Sequence, residues 1–250
     1  EGIEPEAMLI AHVGGRYADL ERHREGLERA VEVHSAWGTF EWMLDDAFRL
    51  GYRVAIVANS DGHKGRPGAS YPGASTFGSY GGLTCVLAKS LDRASVWEAY
   101  ARRRVYASTG ARIMLALTTD SGAEMGDVVE VTDGIPRFDV SVHGTAPIER
   151  VELRNGMEVL KTFRPYGRGD LADRIKLTWE GATVRGRGRQ VNWDGGLALS
   201  GNSIAGFIPV NFYNIEKACR QTGARRLKWE SITTGGLAGA EHHGHVPALL

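Results

Sequence analysis

Cysteine is scarce: the 250 residues hold only Cys85 and Cys219. They lie far apart and match neither a disulfide framework nor a C-x-x-C metal motif, so both read as buried small hydrophobes. A charge imbalance is missing as well. Thirty basic and thirty acidic residues cancel, which leaves no electrostatic footprint for nucleic acid or an anionic membrane surface. No apolar run approaches the length of a bilayer span, and no internal repeat is visible. An initiator methionine is absent too. The chain opens at Glu1 and meets strand-like Met8 to His12 almost at once, so a fragment of a longer protein is expected. Glycine, by contrast, is abundant at 33 residues, which favours turns and loops over a helical bundle. With 42% hydrophobic and 24% charged residues, the composition is that of a globular chain with room for one large domain or two ordinary ones.

The first part of the chain alternates strand and helix signals. Met8 to His12, Ala30 to His34, Tyr52 to Ala58, Leu83 to Leu87 and Val105 to Ala107 read as strands. Phe40, Met43, Leu44, Ala47 and Phe48 recur at helical spacing, and Gly51 stops that helix. Asp92 is placed to cap a helix running to Arg104, with Val96, Trp97 and Tyr100 on its inner side. This rhythm predicts parallel βαβ units, hence an α/β barrel or doubly wound sheet. Beyond residue 111 the rhythm changes to short strand candidates, including Arg137 to Val142, Val159 to Phe163 and Ile175 to Trp179. Arg150 to Val159 reads as a hairpin about Asn155-Gly156. Strands so spaced predict an antiparallel β-sandwich. The expected domains are therefore residues 1–117, α/β, and residues 118–250, β-rich.

Chemistry concentrates around residues 52 to 68. A buried strand breaks there into Asn59-Ser60-Asp61-Gly62-His63-Lys64-Gly65-Arg66-Pro67-Gly68. In an extended segment, residues two apart point the same way, so Asp61 and His63 are expected to aim at one point. A carboxylate and an imidazole converging at a strand end suit a divalent ion such as zinc or manganese. His12 and His34 also stand at or just past strand ends, whereas His23 lies in a charged segment. In parallel architectures those ends form the functional face. Glu32 and His34 share one face of their strand, where an ionisable pair needs a partner such as a metal. Which of the two is the ligand is left open by the spacing.

These blocks occur in a familiar order: Ala11-His12-Val13-Gly14-Gly15-Arg16, Val31-Glu32-Val33-His34-Ser35-Ala36-Trp37-Gly38-Thr39, Asn59 to Gly68, Tyr80-Gly81-Gly82-Leu83-Thr84, and Arg103 to Arg112. Over roughly residues 8 to 117 the chain resembles the PHP (polymerase and histidinol phosphatase) superfamily. More narrowly, it resembles a large uncharacterised branch that is a domain of unknown function. The resemblance implies a distorted β/α barrel with up to three divalent ions, zinc, manganese or iron, on its C-terminal face. It implies hydrolysis of a small phosphoester, with Asp61 and His63 catalytic and His12, Glu32, His34, Asp61 and His63 as metal ligands. Arg66, Lys64 and Arg16 are the expected phosphate-binding residues. The family's opening His-x-His block is absent from residues 1 to 63, so the chain is expected to lack the N-terminal half of the barrel. His243-Gly244-His245 has that spelling but reads as a solvated terminus.

Other features have plainer readings. The Gly/Ser-rich stretch from Ser70 to Gly82 lacks the spacing of a phosphate loop and reads as a lid over the site. Trp37, Phe40 and Trp42 read as core, Arg102-Arg103-Arg104 as cations at a helix C-terminus, and Arg185, Arg187 and Arg189 as an exposed face. Two further functions compete with phosphoester hydrolysis. One is metal-dependent attack on an amide or lactone; the other is a non-catalytic module whose β-rich half binds carbohydrate or a protein.

Overall fold

The computed structural model describes residues 7–13, 18–63, 65, 81–132, 134, 136–171, 173–179, 190–210, 212 and 216–234. Arg16, Lys64, Arg66, Ser70 to Tyr80, Arg185, Arg187, Arg189, His243 and His245 lie outside them. The centre of the fold is strand β2 (Glu28–Ser35), which pairs in parallel with β1 (Leu9–Ala11) and with β4 (Ala55–Ala58). A short strand β3 (Gly38–Thr39) turns back antiparallel on the end of β2. From Ala30 to Ser35 every residue of β2 is buried, as expected of a strand covered on both faces.

The two faces of β2 do different work. Val31 and Val33 join Ala11, Val13, Phe40, Met43, Leu44 and Ala47 in the main apolar core. Helix α1 (Trp42–Arg49) supplies much of that core, because Met43, Leu44 and Ala47 recur on one side of it. It ends in a left-handed Gly51 (φ 77°), with Tyr52 N–H on Ala47 O at 2.9 Å and Gly51 N–H on Phe48 O at 3.0 Å, the two bonds of a Schellman cap. On the opposite face, Ala30 packs with Ala55, Val57 and Val105. Glu32 and His34, on the same face as Ala30, are buried at the strand's C-terminal end.

Strands β5 (Leu83–Val86) and β6 (Val105–Ser108) flank helix α2 (Arg93–Ala101). Asp92 caps α2 by accepting Ser95 N–H at 2.8 Å. Ala99 is its buried residue, while Trp97 stays exposed, so the inner side expected from Val96, Trp97 and Tyr100 is not closed over. After α2 the loop at residues 124–127 folds back on the helix end: Arg103 donates to Gly126 O at 3.0 Å and Arg104 pairs with Glu124 at 3.0 Å.

The expected β/α barrel is not what the chain forms. Among the described residues the parallel ladders are β1–β2 and β2–β4, and β5 pairs with β6 antiparallel. The link from β1 to β2 carries a three-residue 3-10 turn, Leu20–Arg22, in place of a crossover helix. Strand–helix–strand order alone does not enforce parallel pairing, and α2 joins two antiparallel strands. Among the described residues no barrel closes, and the class is β-rich, built of small sheets.

The sandwich expectation also needs correction. Strands β7 (Met114–Thr119) and β8 (Phe138–His143) form one ladder, β9 (Val151–Asn155) and β10 (Glu158–Phe163) another. β11 (Gln190–Asn192) pairs with β15 (Ile232–Thr234), and β12 (Gly195–Ala198), β14 (Arg226–Trp229) and β13 (Cys219–Gly223) make a three-stranded sheet. Ile175 to Trp179 is irregular. Among the described residues, no hydrophobic side chain after Tyr106 is buried, so the inter-sheet core that defines a sandwich is missing. Cys85 and Cys219 are free thiols and half-buried. Among the described residues no helix is long and apolar enough to cross a membrane.

Candidate metal and catalytic site

Parallel pairing brings the C-terminal ends of β1, β2 and β4 to one edge of the sheet. Ala11 is in register with Val31, and Glu32 with Val57, so the residues that follow β1 and β4 flank Glu32. A bulge between Glu32 and His34, opposite β4, re-aims side chains at that edge. Glu32 is 5% exposed, and a carboxylate so placed requires donors. It has three. His12 Nδ1 lies 2.6 Å from Oε2, Val13 N–H donates to Oε2 at 3.1 Å, and Asn59 Nδ2 donates to Oε1 at 2.9 Å. On its other side the His12 ring presents Nε2 to Asp61 Oδ2 at 3.7 Å. A single imidazole thus stands between two carboxylates, one on β2 and one in the segment that follows β4.

Asp61 and His63 are not extended. Their φ angles are 46° and 34°, in the left-handed region that a non-glycine residue seldom enters and that is frequent at functional sites. The backbone therefore curls, and His63 Nδ1 turns onto the Asp61 carbonyl at 2.7 Å, with Asp61 Oδ1 at 3.3 Å. The pair meets by local folding rather than by strand alternation. His34 serves differently from Glu32: its Nδ1 is 2.7 Å from Thr39 Oγ1, across the β2–β3 hairpin. His23 is remote from this edge, stacked on Tyr52 at 4.1 Å and 3.5 Å from Glu28.

Several residues that build the site carry no obvious signature in sequence. Asn59 is the chief one: its backbone N–H donates to His34 O at 3.1 Å, and its carbonyl accepts Gly82 N–H at 2.9 Å. Gly82 packs so tightly there that a Cβ would stand 2.4 Å from Ala58 Cβ and 3.0 Å from His34 Cδ2. Thr84 Oγ1 receives Ala58 N–H at 3.1 Å and donates to Ala58 O at 2.7 Å, tying β5 to the end of β4. The signal that could have found Asn59 is Glu32 itself. A buried strand carboxylate needs neutral donors, and Asn59 is the amide at the end of the adjoining strand.

Residues 52–130 match a family described as a protein of unknown function (DUF3604). The chain is 30% identical to an uncharacterized protein of Chlamydia pneumoniae, over 59% of this chain and 27% of that protein. It is 34% identical to uncharacterized proteins of Chlamydia trachomatis serovar D and Chlamydia muridarum, over 34% of this chain and 14% of each of them. The chain thus spans about a quarter or less of the relatives it matches. No solved structure matches it. These matches overturn the PHP resemblance: neither the family description nor the relatives' names carry a polymerase or phosphatase.

The donor types, imidazole and carboxylate, suit zinc, manganese or iron. The donor number is the constraint. Among the described residues no group of three or more His, Cys, Asp and Glu side chains is arranged to hold a metal ion. His12 Nε2 and Asp61 Oδ2 supply two donors at a spacing compatible with one ion. Glu32 is engaged as the acceptor behind His12, the arrangement in which a carboxylate orients a ligating histidine.

Proposed function

We propose that the edge formed by β1, β2 and β4 is part of the active site of a metal-dependent hydrolase, with phosphoesters as the substrate class. The observation that carries this reading is the Glu32–His12–Asp61 alignment, with its distances of 2.6 Å and 3.7 Å. Glu32 fixes the imidazole, and His12 Nε2 and Asp61 Oδ2 are the two donors offered to a divalent ion. A divalent ion held by these two residues would supply Lewis acidity toward a water and a phosphoryl oxygen. Asp61, in its left-handed conformation, holds its carboxylate toward the ring, and His63 stands beside it as a proton-transfer group. Arg16, Lys64 and Arg66 adjoin these residues in sequence and are the proposed partners of substrate phosphate oxygens; an amide or lactone would leave them without that role.

The test is hydrolysis of p-nitrophenyl phosphate and bis(p-nitrophenyl) phosphate by the protein, with zinc, manganese or iron added and after chelation. Metal-dependent turnover that falls at least about a hundredfold in His12→Ala and Asp61→Asn supports the reading. Turnover unaffected by chelation and by both substitutions would falsify it.

A second reading rests on the β-rich half. Trp179 stacks on Trp229 at 4.8 Å and meets Phe212 edge-on at 5.9 Å, and all three are only half-buried. Half-exposed aromatic side chains of this kind are enriched at binding interfaces. A glycan array probed with the protein and with Trp179→Ala separates the two: loss of a wild-type signal in the variant favours the binding module.

A further inference from the structure

We infer that Asn59 is a positioning residue that sets the ring tautomer of His12 through Glu32. The inference deepens the proposed hydrolase reading and rests on it for its purpose, though not for its geometry. Glu32 has two oxygens and three donors around them. Val13 N–H can only donate, and it takes Oε2 at 3.1 Å. Asn59 turns its amide nitrogen to Oε1 at 2.9 Å, the orientation a carboxylate acceptor demands. With both oxygens held as acceptors, the atom 2.6 Å from Oε2, His12 Nδ1, must carry its hydrogen. In the neutral ring Nε2 is then the atom with the lone pair, and Nε2 faces Asp61. That tautomer is the one a cation beside Asp61 requires.

The side chain of Asn59 is well supported for this task. Its own backbone is clamped on both sides, to His34 O at 3.1 Å and to Gly82 N–H at 2.9 Å, so its amide is delivered to Glu32 from a fixed point. Aspartate at position 59 keeps the shape and removes the donor, placing a second carboxylate against Oε1. Alanine removes the whole carboxamide, donor and bulk together, and leaves Glu32 free to swing.

The experiment is ring-nitrogen NMR of the ¹⁵N-histidine-labelled, metal-free protein at one fixed alkaline pH, with zinc affinity measured separately by calorimetry. Wild-type protein is expected to show His12 protonated at Nδ1, and Asn59→Ala and Asn59→Asp to move the ring toward the Nε2–H form. Zinc affinity should fall about 10- to 100-fold in both variants. A wild-type ring protonated at Nε2, or a ring unchanged in a folded variant, overturns the inference. Using two variants of different shape guards against one failing to fold, which the dispersion of the amide spectrum reports. If wild-type protein binds no zinc yet the tautomer moves as stated, the positioning role stands and the metal reading fails. Zinc binding with an unmoved tautomer shows the reverse.

Discussion

Replacing Glu32 gives the sharpest expectation about stability. In Glu32→Ala, the N–H of buried Val13, the amide of Asn59 and Nδ1 of His12 all lose their acceptor. Each buried donor left without a partner costs about 1–3 kcal/mol. The His12 side chain is 38% exposed, so water recovers most of its share. Val13 is completely buried, and its N–H recovers little. Together with the cavity, the loss is expected to be about 3–5 kcal/mol. Glu32→Gln keeps the volume and one acceptor. Whichever way the amide turns, its NH2 faces at least one donor, Asn59 on one side or His12 and Val13 on the other, so the expected loss is smaller, about 1–3 kcal/mol. Urea unfolding followed by far-UV circular dichroism reads both values as shifts in midpoint at constant slope. The order alanine worse than glutamine worse than wild type is the signature. Both variants within about 0.5 kcal/mol of wild type, as for an ordinary surface change, would refute the hydrogen-bonding argument.

Three other outcomes follow from the same geometry. Gly82→Ala drives a methyl group into Ala58 and His34, and thermal unfolding should show a loss of about 1–3 kcal/mol. Asp61→Asn retains a residue tolerant of the left-handed conformation and removes only the charge, so zinc affinity should drop while the midpoint of unfolding moves little; Asp61→Val should lower both. Asp92, held at about 2 chiefly by its bond from Ser90, titrates below its unfolded value of 3.8. Its contribution to α2 is therefore complete above that value and is lost as pH falls toward about 2. Amide exchange in residues 93–96 should accelerate over that window in wild type, and Asp92→Asn should flatten the dependence.

Much of the local structure was legible in the sequence because single residues with strong preferences mark it. Gly51 and Asp92 announce a helix end and a helix start, and both do so in the structure. The apolar run before Asn59 forms β4, and Asn155-Gly156 does turn β9 into β10. Long-range pairing was not legible. The pattern of β5, α2 and β6 is the same whether the strands run parallel or antiparallel, since that choice is made by where β6 docks, beside β4. The β-rich half was misread because period-two alternation reports strands and not what covers them. All six residues of β10 are exposed, and among the described residues no layer covers it. In the site, His12 and Asp61 could be picked out by residue type at strand ends, and the structure puts their side chains 3.7 Å apart. The curled path through Asp61 and His63, and the dependence of Glu32 on Asn59, come from backbone conformation and burial that spacing does not encode.

The proposed site makes His12 and Asp61 donors to one divalent ion. Zinc K-edge X-ray absorption on the zinc-loaded protein, compared with His12→Ala and Asp61→Asn, reads this coordination. Outer-shell imidazole scattering is expected to decrease in His12→Ala, with one fewer light-atom ligand in each variant and weaker zinc retention in both. Spectra and zinc content identical across the three proteins would contradict it.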